Sequence, residues 1–316
     1  MITREQSLIL KEMNPYRLRA YILLLIVSVI WAIAGPVIKF VLSEIPPLLF
    51  LTYRFLLSSA FAIPYFIIAK PALPKKKLDW IYLLVYSLLT SSVTLGMLFF
   101  GLNNTTVLDM SIITLAVPLV IAIAGIFFLN EHITKREWGG MTVAIFGTAL
   151  TIIEPLLSSK TNGVRLSGNL LIAGYVAVNA VSVVISKKLL RKGVSPSLMT
   201  NFAFIVGFLS LAPFLLFSSS LSSISIILKG ASATSHLGVA YMALLSGTLA
   251  YWMSNKAQKS VEIGEAALFS YLYPLLSIPI AVLWLNEIIT PIFIVGAVII
   301  LSGVIVAEYK KPKKNK

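Results

Sequence analysis

The sequence predicts an all-α integral membrane protein whose ten transmembrane helices form two inverted five-helix repeats. Three observations lead to this fold class: the apolar composition, ten apolar segments of about the length of a bilayer span, and an internal duplication. Of the 316 residues, 58% are hydrophobic and 12% are charged, whereas about 25% of the residues in soluble domains are charged. Helices suit such a composition because they satisfy their own backbone hydrogen bonds in lipid.

Ten segments approach the roughly 20 apolar residues that a helix needs to cross a bilayer. The fifth and tenth are the shortest of them. The polar N-terminus lacks the apolar core and cleavage site of a signal peptide, so the first segment is predicted to be a retained span. The predicted spans are Ala20–Phe40, Leu48–Ala69, Trp80–Gly101, Met110–Leu129, Trp138–Ile153, Gly168–Ser186, Leu198–Phe217, Leu237–Met253, Ala266–Leu285 and Ile292–Ala307.

Lysine and arginine are unevenly distributed between the two sides of the predicted spans. If the N-terminus is cytoplasmic, only Lys160, Arg165 and Lys229 fall on the outer side. Because basic loops are retained in the cytoplasm during insertion, both termini are predicted to be cytoplasmic, most naturally at the plasma membrane. The net charge of +14 is thereby attributed to orientation and to attraction for membrane lipids, and nucleic-acid binding is not expected.

The second half of the chain repeats the pattern of the first. Pro118 aligns with Pro274, and the LNEHIT sequence at 129–134 aligns with LNEIIT at 285–290 without a gap. Two glycine pairs follow in the same register, Gly140 with Gly296 and Gly147 with Gly303. Glycines seven residues apart share a helix face and allow close helix approach, so they predict a seam between the two halves or between two protomers.

Five spans per repeat require the second half to be inverted in the membrane. Inverted repeats are typical of secondary transporters, whose substrate site lies near mid-membrane between the halves. The predicted segments are a cytoplasmic N-terminal segment (1–19), the first repeat (20–154), an outer linker (155–167), the second repeat (168–308) and a basic cytoplasmic tail (309–316).

Alternating access predicts a polar cavity between the first, third, fourth, sixth, eighth and ninth spans. Two other functions remain open at this stage. A membrane scaffold without solute flux predicts a filled interface between the halves, whereas a flippase for lipids or lipid-linked intermediates predicts a groove open sideways to the bilayer.

Several short motifs carry a resemblance to a known family. They are Trp31-Ala32 in the first span, Pro47 and Tyr53-Arg54-Phe55 at the start of the second, and the duplicated LNE-x-IT turn after a proline-containing span. In this order the chain from Ala20 to Glu308 resembles the EamA branch of the drug/metabolite transporter superfamily. The resemblance implies transport of amino acids, their derivatives, nucleobases or other metabolites through a central cavity.

The candidate substrate contacts are uncharged. Small-solute sites combine aromatic walls with a few oriented polar groups, and the predicted spans offer both kinds of side chain. For each residue, ordinary helix packing is the competing interpretation. The candidates are Trp31, Met97, Asn179, Tyr251, Trp252, Asn255, Ser270, Tyr271 and Tyr273.

Charged residues within spans are costly and indicate function by default. Lys39 lies near the end of its span and can extend to the interface, but Arg54 lies about two turns inside the second span. An ion pair with Asp109, Glu44 or Glu287 is the favoured prediction for Arg54, with an anionic substrate group as the alternative.

Four carboxylates near helix ends are given structural roles, with proton coupling as the less favoured alternative for Glu131, Glu287 and Asp109. Glu131 and Glu287 of the duplicated turn are predicted to hold that turn. Asp109 and its repeat counterpart Glu265 are predicted to cap helices. Thr134 and Thr290 are predicted to cap the helices that follow them.

Enzymatic activity is not predicted. The sequence lacks an H-E-x-x-H motif, a P-loop and a G-x-S-x-G motif, and its two histidines lie far apart. It also contains no cysteine, so a thiolate metal site is excluded. No cofactor or metal is expected. The expected partners are a small-molecule substrate and membrane lipids, and a coupling ion and a second copy of the chain remain open.

Overall fold

The structure, a computed structural model, describes residues 15–129, 135–157, 163–261 and 263–308. These residues form helices and connecting turns, with no β-strand among them. Continuous helices are α1 (Pro15–Leu42), α2 (Pro47–Ala69), α5 (Lys135–Leu157), α6 (Gly163–Arg191), α7 (Pro196–Ser218), α8 (Leu221–Gly230) and α11 (Pro291–Glu308). Interrupted helices are α3 (Lys77–Ser87 and Leu95–Asn104), α4 (Val107–Ile113 and Val117–Leu129), α9 (Ala233–Ala243 and Ala250–Ala257) and α10 (Ile263–Ala267 and Leu272–Leu285).

Eight helices of the described chain are long and apolar enough to cross a membrane. The two remaining predicted spans, the fifth and the tenth, correspond to shorter apolar stretches at Trp138–Ile152 in α5 and Pro291–Val306 in α11. The helices that contain them are longer, with 23 residues in α5 and 18 in α11, so the prediction that the fifth and tenth spans are the shortest is not borne out for α5. Helix α8 corresponds to no predicted span because its 10 residues fall well short of the bilayer thickness.

Helices of the first half pack mainly against helices of the second half. Helix α2 packs along α7 and α5 along α11, while α1 contacts both α9 and α10 and α6 contacts both α3 and α4. Each of these contacts has a counterpart when the two halves are exchanged. This exchange symmetry is what a duplicated pair of five-helix units would produce.

The duplicated glycines bring α5 and α11 into close contact. A Cβ atom added at Gly303 would lie 2.5 Å from the backbone nitrogen of Ala144, and one added at Gly147 would lie 2.7 Å from Cγ1 of Ile300. Ordinary side chains do not fit at such separations. Of the two predicted uses of this glycine pattern, the structure shows the seam between halves.

Helix irregularities also occur in pairs. A π-helical segment interrupts α3 at Leu88–Thr94, and another interrupts α9 at Leu244–Leu249. Short 3₁₀ segments interrupt α4 at Thr114–Ala116 and α10 at Leu268–Tyr271. These pairs lie at equivalent or overlapping positions of the two repeats, and π-helical segments are frequent at functional sites.

Candidate functional site

A cavity of about 160 Å³ lies between the two halves. It is lined by α1, α3, α4, α6, α9 and α10, which are the six spans expected to surround it, and Arg54 of α2 also contributes. A cavity of about 150 Å³ accommodates a molecule of benzene size. The volume therefore suits a small organic solute, and the interface between halves is not filled.

One wall of the cavity is aromatic. The rings of Trp31 and Tyr251 meet edge to face with centroids 5.2 Å apart, and those of Trp31 and Tyr273 do so at 6.1 Å. The Trp31 indole N–H donates a 3.0 Å hydrogen bond to the backbone oxygen of Ser246, within the π-helical segment of α9. This bond fixes the indole between the two halves.

A hydrogen-bonded cluster centred on Asn255 lies on another side. Its side-chain nitrogen donates to the Tyr86 hydroxyl at 3.3 Å and to Thr200 Oγ1 at 3.2 Å, and its oxygen accepts from Ser186 Oγ at 3.0 Å. Because these groups belong to α3, α6, α7 and α9, Asn255 links four helices beside the cavity. Its amide is largely occupied by protein partners.

Among the described residues that line the cavity, Arg54 is the one charged residue. Its side chain is 0% exposed, and its three guanidinium nitrogens have no hydrogen-bond partner among the described residues. The rings of Phe55 and Phe99 lie 5.5 Å and 5.6 Å from the guanidinium carbon, within the range of cation–π attraction. The ion pair predicted for Arg54 is therefore wrong for the described chain.

The three carboxylates proposed as partners of Arg54 bind elsewhere. Asp109 forms a bidentate pair with Arg165, with both N···O distances at 2.8 Å. Glu44 accepts a 2.6 Å hydrogen bond from the backbone nitrogen of Ser232. Glu287 accepts from the backbone nitrogens of the first two residues of α4, at 2.8 Å and 2.9 Å. Loop and helix-end partners are within reach of these acids, whereas Arg54 lies deep in the bundle.

The start of α4 is capped differently from the prediction. Thr106 is the N-cap, with an extended backbone, and its hydroxyl accepts from the Asp109 backbone N–H at 3.0 Å. Asp109 lies in the first helical turn, since α4 begins at Val107, three residues before the predicted start. The Thr105 hydroxyl lies within hydrogen-bonding distance of both this carboxylate and the side-chain oxygen of Asn169 in α6, and its single proton is shared between them. The prediction that Asp109 is the cap is corrected accordingly.

Glu287 and Lys39 lie near the same end of the bundle. Burial raises the pKa of the Glu287 carboxyl, although the two N–H donors of α4 oppose that shift. Lys39 donates to the backbone oxygens of Leu102 and Thr105, at 2.9 Å and 2.6 Å. Lys39 therefore binds the α3–α4 connection, where its charge has acceptors.

The duplicated turn is visible in the second repeat. Asn286 adopts a left-handed backbone conformation (φ 54°) after α10, which ends that helix. The Thr290 hydroxyl then accepts from the backbone N–H of Phe293 at 3.1 Å, so the predicted Thr290 cap is confirmed. Glu131 and Thr134 of the first repeat lie outside the described residues, as does the side chain of Glu265.

Comparison with known sequences identifies the family. The sequence model of the EamA-like transporter family matches the chain twice, over residues 18–153 and 166–309. The chain belongs to the EamA-like transporter family. Its relatives have transporter names, so membership and names together indicate a multi-pass membrane transporter rather than an enzyme.

Two relatives of this chain have the following names and similarities. The uncharacterized transporter YetK of Bacillus subtilis is 28% identical over 280 residues, covering 88% of this chain and 83% of its own. A probable amino-acid metabolite efflux pump of Salmonella typhimurium is 28% identical over 292 residues, covering 89% and 92%. A solved crystal structure with 17% identity has a TM-score of 0.63, covering 92% of this chain and 96% of its own, which shows a shared fold.

Six of the nine predicted contact residues line the cavity of this EamA protein. They are Trp31, Asn179, Tyr251, Asn255, Ser270 and Tyr273. The structure places the other three away from the lining. Met97 packs at the crossing of α3 and α6 beside Gly174, Trp252 lies under the Lys256 ammonium at 4.6 Å, and Tyr271 packs against the main apolar core.

Several lining residues were not anticipated from sequence. Tyr86, Tyr175, Ser182, Ser246 and Gln258 all face the cavity. Small hydroxyl residues are common in transmembrane helices because they also bond to their own helix, as Ser182 does to the Val178 oxygen at 3.0 Å. The available signal was the clustering of polar residues on α6 and α9, which does not by itself establish which face is inward.

Proposed function

We propose that this EamA protein is a secondary transporter that carries amino acids or closely related small metabolites by alternating access. The observation that carries the proposal is the cavity between the halves, which both repeats line with aromatic and hydroxyl side chains. Its size supports a small solute. The name of the Salmonella typhimurium relative supports an amino-acid metabolite as the class to test first.

Counterflow in proteoliposomes tests this proposal without a coupling gradient. Vesicles are loaded with one unlabelled amino acid at a time, and uptake of the same labelled compound is followed against protein-free vesicles. At least one member of an amino-acid panel should accumulate transiently. If correctly inserted protein shows counterflow of no amino acid in the panel but flips a labelled lipid, the proposal is overturned in favour of a flippase.

Two substitutions link the flux to the cavity. Asn179→Trp places a large ring in the cavity lining and should abolish counterflow. Leu209→Trp adds the same ring at a position of α7 that is 63% exposed on the exterior of the helix bundle. This variant should retain most of the flux. Equal flux from both variants would contradict transport through this cavity.

The proposed orientation places both termini in the cytoplasm of the plasma membrane. The excess of lysine and arginine on that side supports this topology. Because the chain has no cysteine, the variant Lys314→Cys provides a single label site. An impermeant thiol reagent should modify it only after cells are opened, and labelling of intact cells would contradict the orientation.

A further inference from the structure

We propose that Arg54 binds a carboxylate of the transported solute, so that this cavity selects small organic acids or zwitterions over neutral analogues. This inference rests on the proposed transport function. Arg54 lines the cavity, is fully buried, and leaves all three guanidinium nitrogens without a protein partner in the described chain. A buried charge is normally paired, so the structure points to a partner that arrives with the solute.

Other embedded cations show what a structural role looks like in this protein. Lys187 is also buried, and its ammonium donates to the backbone oxygens of Gln258 and Val261 at 2.5 Å and 2.6 Å. Lys39 likewise has backbone acceptors at the α3–α4 connection. Arg54 has no such acceptors among the described residues, although it is more deeply buried than either lysine.

The Arg54 side chain is held without using its hydrogen-bonding capacity. The faces of Phe55 and Phe99 attract the cation, while both rings are fully buried and hold it in place. Across the interface, a Cβ atom at Gly247 would lie 3.2 Å from Nη2 of Arg54. The guanidinium therefore lies close to the π-helical segment of α9, and no described protein group accepts a hydrogen bond from its donors.

The charge is present in one repeat only. Helices α2 and α7 both begin at a proline, Pro47 and Pro196. Counting from these prolines, the position equivalent to Arg54 is occupied by Ala203. An asymmetric cation is not required by the packing of the duplicated fold, which supports a role in binding the solute.

The charge balance favours a carboxylate over a phosphate. The described lining contains one cation, Arg54, and no aspartate or glutamate. A phosphomonoester carries about 1.5 to 2 negative charges at neutral pH, so one guanidinium would leave part of that charge unmatched in a poorly solvated cavity. A carboxylate carries a single charge and accepts the two parallel N–H donors of an arginine.

The aromatic wall can accept the remainder of an amino acid. The rings of Trp31, Tyr251 and Tyr273 lie in the same cavity, and aromatic faces attract an ammonium group or an apolar side chain. A zwitterion therefore finds an anion site at Arg54 and a wall that suits the rest of the molecule.

Ligand binding by purified protein tests this inference with matched acids and amides. The probes are benzoate against benzamide and L-leucine against L-leucinamide, with inorganic phosphate as the other anion. Wild-type protein should bind at least one acid about tenfold more tightly than its amide, since hydrogen bonds between charged partners exceed neutral ones. Phosphate should bind more weakly than that acid.

Three variants assign the preference to Arg54. Arg54→Gln should reduce the acid-to-amide ratio to about one, while Arg54→Lys should retain part of it because the charge remains but the fork of donors does not. Lys192→Gln removes the same charge from a partly exposed site paired with Asp79, and it should leave the ratio unchanged.

The outcomes separate this inference from the transport proposal. Wild-type protein that binds each amide as tightly as its acid overturns the role of Arg54, even if Arg54→Gln does not fold. An acid-to-amide ratio that is undiminished in folded Arg54→Gln overturns it as well. If phosphate binds more tightly than either acid, the carboxylate preference is overturned and the ligand group of Arg54 is a phosphate. If counterflow occurs with any of these results, the transport function stands independently.

Discussion

Asp109 forms a buried ion pair with Arg165, whereas the sequence favoured Arg54 as a partner for Asp109, Glu44 or Glu287. Arg165 falls in the predicted outer linker, but α6 begins at Gly163 and includes it in its first turn. Side-chain partners depend on where helices end, and apolar composition does not define those ends. The sequence could therefore identify Arg54 as a charged residue inside a span, but it could not identify which carboxylates bind other partners.

Removing Arg165 should destabilise the protein more than removing an exposed cation. Asp109 is 2% exposed in this pair, so Arg165→Gln leaves a buried carboxylate without its cation, at a cost of about 3 kcal/mol. Lys192→Gln breaks the partly exposed pair with Asp79, which contributes less than about 1 kcal/mol. Thermal denaturation in detergent compares the two variants.

A double variant refines this test. Adding Asp109→Asn to Arg165→Gln removes the unpaired charge and should recover part of the lost stability. A melting temperature for Arg165→Gln equal to that of Lys192→Gln would show that the buried pair is not stabilising.

Glu44 should make the stability depend on acidic pH. The backbone N–H of Ser232 holds the pKa of Glu44 below its usual range. A lowered pKa in the folded state stabilises the protein at pH values above the unfolded pKa of about 4.3, and this contribution is lost as the pH falls through the folded value. The melting temperature of wild type should exceed that of Glu44→Gln at pH 7, and the difference should decline below about pH 4. A difference independent of pH would contradict this role.

At the scale of elements, the spans and their duplication follow from sequence, whereas the helix interruptions do not. The LNE-x-IT turn has direct physical causes: Asn286 accepts the left-handed conformation and Thr290 caps the next helix. The π-helical segment at Leu244–Leu249 has an apolar sequence containing serine, glycine and threonine, as many regular transmembrane helices do. The segment contacts α1 and α2 of the other half, and a local sequence pattern does not contain such contacts.

The glycine seam gives a direct test of how α5 and α11 pack. Gly303→Leu would place its Cβ 2.5 Å from a backbone atom of Ala144, so the two helices must separate. Gly139→Leu is the matched control, because no atom lies within 4 Å of a Cβ there. Gly303→Leu should lower the melting temperature by several degrees while Gly139→Leu leaves it nearly unchanged. Similar values for both would contradict the seam.

At the scale of the whole molecule, inversion of the repeats explains why a cavity lies between them. Every principal helix contact joins one half to the other, so movement of one half against the other changes the walls of the same space. Sequence reasoning reached the six lining spans, which the repeat relates as the first to the sixth, the third to the eighth and the fourth to the ninth. It gave Arg54 a solute-binding role only as the alternative to an ion pair, because the rotation of α2 about its axis depends on packing with α7 and α9.

Alternating access, as proposed above, requires the solute site between the halves to become accessible from each side of the membrane in turn. Ser182 lines the cavity and is 3% exposed, and Ser182→Cys introduces the one thiol of the chain. In sealed proteoliposomes of defined orientation, an impermeant thiol reagent should modify it from either side, more slowly when a transported amino acid is present. Modification of Ser182→Cys from one side only would contradict alternating access through this cavity. So would modification no faster than that of a control, Leu209→Cys, on the exterior of the helix bundle.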